Sequence, residues 1–246
     1  MEFLALHFRP LVGDIPALWS GLQLTLLLSA TGIAFGGGVG LLFATWRFMV
    51  PRWLSWPVTA YVEAIRNTPL LVQLYIIYLG LPAVGVRLTP LAASMLGLTL
   101  NLGAYSTEIF RAGFDSIKRP QIEAGEALAF SRLQVLRHVV LVPAVSRVWP
   151  ALIGQFILMM LGTSICSFIS LNELSGTAFT IASATFMSFE VYVIIGVLYL
   201  GLTVAMKVLF AVLGPSLFAD TISARSVGAG FKSTKGLKST KGPGAR

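Results

Sequence analysis

Charged residues are scarce in this sequence. Asp, Glu, Lys and Arg make up 11% of its 246 residues, whereas soluble domains carry about 25%. Hydrophobic residues make up 56% of the sequence, and the mean hydropathy is +0.82. A surface of this composition is poorly suited to water, which argues against an ordinary soluble domain. The composition therefore predicts an all-α integral membrane protein.

Residues that carry chemistry are also sparse. The single cysteine, Cys166, has no partner for an internal disulfide, and His7 and His138 are far apart in sequence. The segment GFKST is not a phosphate-binding loop, because Phe231 stands where a glycine must precede the lysine. No triad, metal-helix or paired-carboxylate spacing is evident. We therefore predict no catalytic residue, metal or cofactor in this chain, and no enzymatic activity of its own.

Long runs without charge are abundant. Five of them are long enough to cross a bilayer as helices, near residues 18–46, 56–82, 88–112, 147–172 and 188–213. Six glycines lie in the first run: Gly21, Gly32, Gly36, Gly37, Gly38 and Gly40. A phosphate loop is one interpretation, but small residues inside an apolar span favour close helix packing.

The basic residues are distributed unevenly between the predicted loops. With the N-terminus outside, the inner segments hold Arg47, Arg52, Arg111, Lys118, Arg119, Arg132, Arg137, Arg147 and Lys207. The outer segments then hold only Arg9 and Arg87, so the bias predicts a cytoplasmic C-terminus. We expect an external segment at 1–17, a membrane domain at 18–213 and a basic, disordered cytoplasmic tail at 214–246. Weak attraction of the tail to anionic lipid is the functional alternative.

The inner segment 113–146 is too long for a simple connector, and it has helical order. Pro120 suits a first helical position, and Ser131 with Gln134 matches a capping box for a second helix. One face of the first helix is mostly small: Ala124, Ala127 and Leu128 share it, with Gly125 and Ala129 beside them. This pattern predicts two short helices that meet at a sharp corner. A helical hairpin resting on the membrane is the plainer alternative.

The same segment resembles a known family. EAGEALAFSRLQVLRHVVLVPA is similar to the EAA loop of ABC-importer permeases, in which a coupling helix docks on the cytoplasmic ATPase. Three more segments resemble the polar amino acid permeases of that family: YVEAIRNTPLLVQLYIIYLGLP, NLGAYSTEIFRAGFDSI and TSICSFISLNELSGTAFTIASATFMSFEVYVIIGVLYLGLT. The resemblance covers about residues 16 to 213. It implies a fold like that of type I ABC importer permeases, with about five transmembrane helices and a cytoplasmic coupling loop.

The resemblance also implies particular coupling residues. By position these are Glu123, Ala124, Gly125, Ala127, Ala129 and Ser131. The chain departs from the family pattern at four places. Gly125 replaces an alanine, Ala129 stands where glycine is usual, and Pro143 lies one position late. Leu161-Gly162 replaces a charged pair that the family often carries, so any role of that pair is absent here.

Partners follow from the same resemblance. It implies an ATP-binding cassette ATPase dimer that binds ATP and Mg²⁺, a second permease subunit, a periplasmic or extracellular solute-binding protein, and contact with membrane lipid. The expected function is movement of polar amino acids across the bacterial cytoplasmic (inner) membrane by alternating access. The sequence leaves open which amino acid is carried and whether the second permease is a copy of this chain or a homologue.

Polar residues inside the spans are candidates for the solute pathway, because they are costly in lipid. They are Thr68, Gln73, Asn101, Tyr105, Thr163, Ser164, Ser167 and Glu173. Asn101 and Tyr105 are four residues apart, as are Thr163 and Ser167, so each pair is expected to share a helical face. Glu173, with Glu190, is expected near the outer edge, where it would attract a cationic group. Interhelical hydrogen bonding explains each candidate taken alone.

Span two contains one further signal. Pro69 has no backbone N–H, so the carbonyl of Ile65 loses its helical partner and the helix is expected to kink or unwind. An ion-coupled secondary transporter remains the main alternative function. Glu63 and Arg66, three residues apart, would form its relay or a plain ion pair. A membrane enzyme or a structural subunit is a third possibility, disfavoured by the lack of a reactive cluster.

Overall fold

The computed structural model describes the backbone of residues 9–236 and the side chains of residues 12–218, and all regular structure in these ranges is helical. The α-helices are α1 (Ile15–Met49), α2 (Trp56–Arg66), α3 (Leu70–Tyr75), α4 (Pro90–Asp115), α5 (Arg119–Ala127), α6 (Arg132–Val135), α7 (Val142–Gly162), α8 (Leu174–Thr185) and α9 (Ser188–Gly236). Short 3₁₀ helices lie at Arg9–Asp14, Leu81–Val84 and Thr163–Ile169, and π-helical turns at Ile76–Gly80 and Leu136–Leu141. The predicted all-α class is confirmed.

The glycines of α1 bring other helices close. A Cβ on Gly36 would lie 2.8 Å from Leu102, and one on Gly40 would lie 2.4 Å from Ser106, both on α4. At the other end of α1, a Cβ on Gly21 would lie 2.7 Å from Thr177 on α8. The glycines therefore serve close helix packing, as the sequence favoured.

Helix α4 lies at the centre of the bundle and packs against α1, α2, α3 and α7. Twelve of its 26 residues are buried, and at about 39 Å it is long enough to span a bilayer. Within the described residues, three helical stretches are long and apolar enough to cross a membrane: Val12–Met49, Arg132–Ile169 and Ser188–Phe218. The bent pair Trp56–Arg66 and Leu70–Val84 makes a fourth. The remaining predicted span, 88–112, corresponds to α4, which is less apolar because other helices cover much of it.

The predicted start of span four differs from the structure. Residues Arg132–Ile169 form one continuous helical stretch, so α6 leads through the π-helical turn directly into α7. Pro143 is the second residue of α7 and does not end the preceding helix. A π-helical turn tolerates the missing N–H, which explains why the stretch continues.

Two features after span four were not predicted. Helix α8 occupies a segment that the sequence analysis left as an outer connection. Helix α9 continues to Gly236, well past residue 214, where the disordered tail was expected to begin. Its backbone is interrupted at Phe218, which has φ −126° and ψ 23°. Extending an existing helix costs little compared with starting one, so helical backbone persists into the polar sequence. The last part of the predicted tail, 237–246, lies outside the described residues.

Candidate functional site

Span two is broken at Pro69, as predicted. Helix α2 ends at Arg66 and α3 begins at Leu70, and the two helical segments are bent by 109°. Pro69 itself is extended, with φ −63° and ψ 141°. The hydroxyl of Thr68 donates to the carbonyl of Ala64 at 2.9 Å, which pairs one backbone group at the break.

The side chain of Gln73 completes this break. Its Nε2 donates to the carbonyls of Ile65 (2.8 Å) and Thr68 (2.9 Å). Ile65 is the residue whose carbonyl was expected to lose its helical partner, so Gln73 supplies the donor that Pro69 lacks. Its Oε1 accepts a hydrogen bond from Asn101 Nδ2 at 3.0 Å. Three of the predicted pathway residues, Thr68, Gln73 and Asn101, therefore form one network between span two and α4.

Tyr105 lies one turn further along α4 and adds a cation–π contact to this region. The guanidinium carbon of Arg66 is 5.5 Å from the centre of the Tyr105 ring. Among the described side chains, Arg66 and Glu63 do not form the alternative ion pair. The Glu63 carboxylate instead accepts a hydrogen bond from the amide of Asn67 at 3.1 Å. Nothing in this arrangement resembles a charge relay.

A separate cavity of about 540 Å³ lies beside the 3₁₀ helix Thr163–Ile169. Ser164 and Ser167 line it, together with Asn172, Ser175 and Thr180. The rings of Phe168, Phe179 and Tyr192 also line it, so its wall combines hydroxyl and amide groups with apolar surface.

The expected pairing of Thr163 with Ser167 does not hold. A 3₁₀ helix has three residues per turn, so Ser164 and Ser167 align instead. Thr163 is fully buried, and its hydroxyl donates to the carbonyl of Met160 at 2.6 Å. Helix α3 packs against this 3₁₀ helix, so the cavity and the Gln73 network occupy neighbouring elements. Gly162, part of the pair that replaces two charged residues, lies against Leu70: a Cβ there would be 3.4 Å from its side chain.

Glu173 is fully buried and bonded at both carboxylate oxygens. It caps α8 by accepting from the backbone N–H of Gly176 at 2.9 Å, and it also accepts from the hydroxyls of Tyr199 (2.9 Å) and Thr25 (3.3 Å). The carboxylate thus joins α1, α8 and α9. It is not on an exposed outer edge, where the sequence analysis expected it to attract a cation.

The predicted corner is present between α5 and α6. Helix α5 ends in a Schellman motif, in which Phe130 N–H donates to the Gly125 carbonyl (3.2 Å) and Ala129 N–H to the Glu126 carbonyl (2.9 Å). Ala129 is left-handed, with φ 58°, which gives a physical reason for glycine at the corresponding family position. Ser131 and Gln134 form the predicted capping box that starts α6.

The small face of α5 is divided between two roles. Ala124 and Ala127 are exposed, as is the large side chain of Leu128 at 70%. Gly125, in contrast, is buried inside the corner, where a Cβ would lie 3.3 Å from Val139. From the sequence, Gly125 was expected among the residues that contact the ATPase. In the structure it instead allows the two arms of the corner to pack closely.

An arginine joins α7 to the end of α4. Arg147, early in α7, donates to the backbone carbonyl and the hydroxyl of Ser116, the residue that follows α4. Arg47 at the end of α1 and Arg111 near the end of α4 both bind Glu108. Arg47, Arg111 and Arg147 therefore gather at one end of the molecule, which we name the basic end.

A family model described as the inner membrane component of binding-protein-dependent transport systems matches residues 36–219. The chain belongs to this family. Its resemblance to the permease subunits of ABC importers, inferred above from sequence motifs, is therefore confirmed.

Relatives among these inner membrane components are close and nearly full length. The octopine transport system permease protein OccM of Rhizobium meliloti is 35% identical over 218 residues, which covers 85% of this chain and 89% of OccM. The glutamine transport system permease protein GlnP of Escherichia coli K12 is 34% identical over 196 residues, with 78% and 89% covered. The crystal structure of an amino acid ABC transporter with histidines superposes with a TM-score of 0.79 at 32% identity, covering 87% of this chain and all of that one.

Sequence reasoning missed two polar groupings in this permease subunit. The contacts of Glu173 with Thr25 and Tyr199 join residues 148 and 26 positions apart in sequence, and the Arg47–Glu108 pair spans 61 positions. No local spacing reveals such pairs. The only usable signal was the presence of an acidic residue within an otherwise apolar stretch.

Proposed function

We propose that this chain is the transmembrane subunit through which an ATP-driven importer moves polar amino acids across the bacterial cytoplasmic membrane. The second permease subunit is a copy of this chain or a homologue, and a solute-binding protein delivers the amino acid from outside. ATP and Mg²⁺ bind to the partner ATPase. The amino acid class is suggested by the named substrates of the relatives, glutamine and octopine.

The observation that carries the proposal is the corner of α5 and α6 at the basic end. Both arms are fixed by local hydrogen bonds, at the Schellman motif and the capping box. The corner presents exposed apolar or small side chains: Ala124, Ala127, Leu128 (70% exposed) and Leu133 (64% exposed). An unpaired apolar surface of this kind on a rigid support fits a docking contact. The α6 arm continues without a break into α7, and Arg147 of α7 binds Ser116 at the end of α4, so movement of a docked ATPase would be transmitted to the bundle.

The solute pathway rests on two neighbouring polar sites. One is the Gln73–Asn101 network at the break in span two, and the other is the Ser164–Ser167 cavity of about 540 Å³. Irregular backbone at membrane depth is tolerated where it is buried in protein or lines a cavity. Asn101 is half-buried, and its Oδ1 accepts no hydrogen bond from the described side chains. Asn101 is therefore our candidate for a direct contact with the solute. Transport would proceed by alternating access, in which the pathway opens first to one side of the membrane and then to the other.

The docking role is tested with Ala127→Trp. The indole would enlarge an exposed position without entering the corner, so we expect at least a tenfold loss of ATPase co-purification and an unchanged melting temperature. Ala83→Trp, an exposed alanine outside the corner, is the matched control and should retain the ATPase. Normal ATPase association and transport in Ala127→Trp would contradict the proposal.

The substrate class is tested separately, in proteoliposomes that hold the intact transporter and its binding protein. Amino acids are screened for stimulation of ATP hydrolysis and for uptake. A polar amino acid should stimulate both. Stimulation only by sugars or metal ions would remove the amino acid assignment while leaving the coupling proposal intact.

A further inference from the structure

Three arginines surround one cavity at the basic end. The cavity has a volume of about 460 Å³ and lies between the end of α1, the 50–55 loop and the end of α4. Arg47, Arg52 and Arg111 line it together with Ser55 and Asp115. It is separate from the α5–α6 corner and from the polar network of span two, so neither proposed role accounts for it.

The cavity has an excess of hydrogen-bond donors. Glu108 uses both carboxylate oxygens on Arg47 and Arg111, and Asp115 accepts from Arg111 at 2.6 Å. Three positive groups thus face two negative ones, a net charge of +1. Within the described side chains, Arg52 and the Nε and Nη2 of Arg47 donate to no protein group. This arrangement favours an anion that accepts several hydrogen bonds.

Tryptophans mark the depth of this cavity in the membrane. Three of the five tryptophans in the chain fall within eleven residues around the loop. Trp46, Trp53 and Trp56 are 46%, 74% and 66% exposed. Exposed tryptophans concentrate at the boundary between head groups and acyl chains. The arginine cavity therefore lies at the level of lipid phosphates.

An apolar groove of about 600 Å³ adjoins the cavity around α1. Its lining is almost free of polar groups and includes Leu42, Phe43, Trp46, Leu54 and Val58. Neighbouring residues line the two spaces. Trp46 lines the groove and Arg47 the cavity. Likewise, Leu54 lines the groove and Ser55 the cavity. A ligand with a charged head and a hydrocarbon tail fits both at once.

We propose that the arginine cavity and this groove together bind one anionic phospholipid. The phosphate accepts hydrogen bonds from Arg47 and Arg52, and an acyl chain lies along Leu42, Phe43 and Val58. The bound lipid bridges α1, the 50–55 loop and α2. A free phosphate would leave the groove empty, and a zwitterionic lipid would bring a cationic group to a positively charged cavity. The proposal is independent of which solute is transported.

The test is a titration of the purified full-length chain, and of its assembled transporter, with phosphatidylglycerol followed by native mass spectrometry. We expect saturable binding of one molecule that exceeds binding of phosphatidylcholine with the same acyl chains. Arg52→Gln removes an exposed charge and leaves the Glu108 ion pairs intact. It should weaken phosphatidylglycerol binding about fivefold, the value of one arginine near a lipid surface, without changing phosphatidylcholine binding.

Two matched variants control for nonspecific charge and apolarity. Arg87→Gln removes an exposed arginine near the opposite end of α4, and Leu27→Ser removes an exposed leucine of α1 outside the groove; neither should change binding. Leu42→Ser, inside the groove, should weaken it. Equal effects of Arg52→Gln and Arg87→Gln would overturn the proposal, as would equal affinity for the two lipids. Displacement of the lipid by inorganic phosphate at equal concentration would assign a free anion, and loss of binding on assembly would assign a protein interface; both also overturn it.

Discussion

Replacing Gln73 with alanine is expected to destabilise the bundle more than replacing any of its hydrogen-bond partners. Gln73 is only 6% exposed, and its amide makes bonds in two directions. It donates to the Ile65 and Thr68 carbonyls at the break in span two and accepts from Asn101 on α4. Alanine removes all of these bonds together.

The size of the effect follows from the number of bonds. Side-chain hydrogen bonds within membrane bundles contribute about 0.6 kcal/mol each on average and at most about 1.7 kcal/mol. Carbonyls left unpaired in a buried place cost about 1–3 kcal/mol. The Ile65 carbonyl keeps longer contacts from Thr68, at 3.3 and 3.4 Å, which reduces the loss. We therefore expect Gln73→Ala to cost about 2–3 kcal/mol and Asn101→Ala only about 0.6–1.7 kcal/mol.

The assay is reversible unfolding of the purified protein in mixed micelles, with both single variants and the double variant. Because Asn101 bonds to Gln73, the two substitutions should not be additive, and the coupling energy should equal about one hydrogen bond. Transport separates the two residues further. Asn101→Ala should raise the KM for the solute with stability almost intact, whereas Gln73→Ala should lose activity in parallel with stability. The reasoning fails if Gln73→Ala is no more destabilising than Asn101→Ala, or if the two effects simply add.

Three further outcomes are expected. Ala129→Gly should raise the unfolding free energy by about 0.5–1 kcal/mol, because glycine relieves the left-handed backbone; a loss of stability would contradict the Schellman geometry. Gly40→Ala should cost about 1–3 kcal/mol through overpacking against α4, while Gly38→Ala, which faces open space, should stabilise α1 slightly; similar unfolding energies for the two would argue against the close contact. A topology reporter fused after Arg52 should be cytoplasmic and one near Val84 external, and the same side for both would refute the orientation.

Sequence reasoning succeeded where structure depends on neighbours within one helical turn. Pro120 near the start of α5, the Ser131–Gln134 capping box and the break at Pro69 follow from backbone donors and acceptors three or four residues apart. The scarcity of charge indicated the membrane class, because lipid excludes unpaired charges wherever they fall. The glycines of α1 predicted close packing without revealing the partner helices.

Local spacing predicted less of the candidate site. Three candidates, Thr68, Gln73 and Asn101, lie together at the break, but as a mutually bonded network in which Gln73 replaces a missing backbone donor. Thr163 and Ser167 did not share a face, because the chain changes from α-helix to 3₁₀ helix at Gly162 and the period shortens from 3.6 to 3 residues. Helix α8 was missed because its cap is Glu173, which is not a usual capping residue.

By itself, the sequence determined that the chain lies in a membrane, where span two breaks and how the α5–α6 corner is capped, since these depend on composition and on contacts along one helix. Only the tertiary structure decided which face of each helix is covered. It buried Gly125 inside the corner, enclosed Glu173 among α1, α8 and α9, and placed Arg47 beside Arg111. These contacts join helices that are distant in sequence. A hydrogen bond between such helices contributes only about 0.6 kcal/mol on average, so neither residue alone indicates which partner it will have.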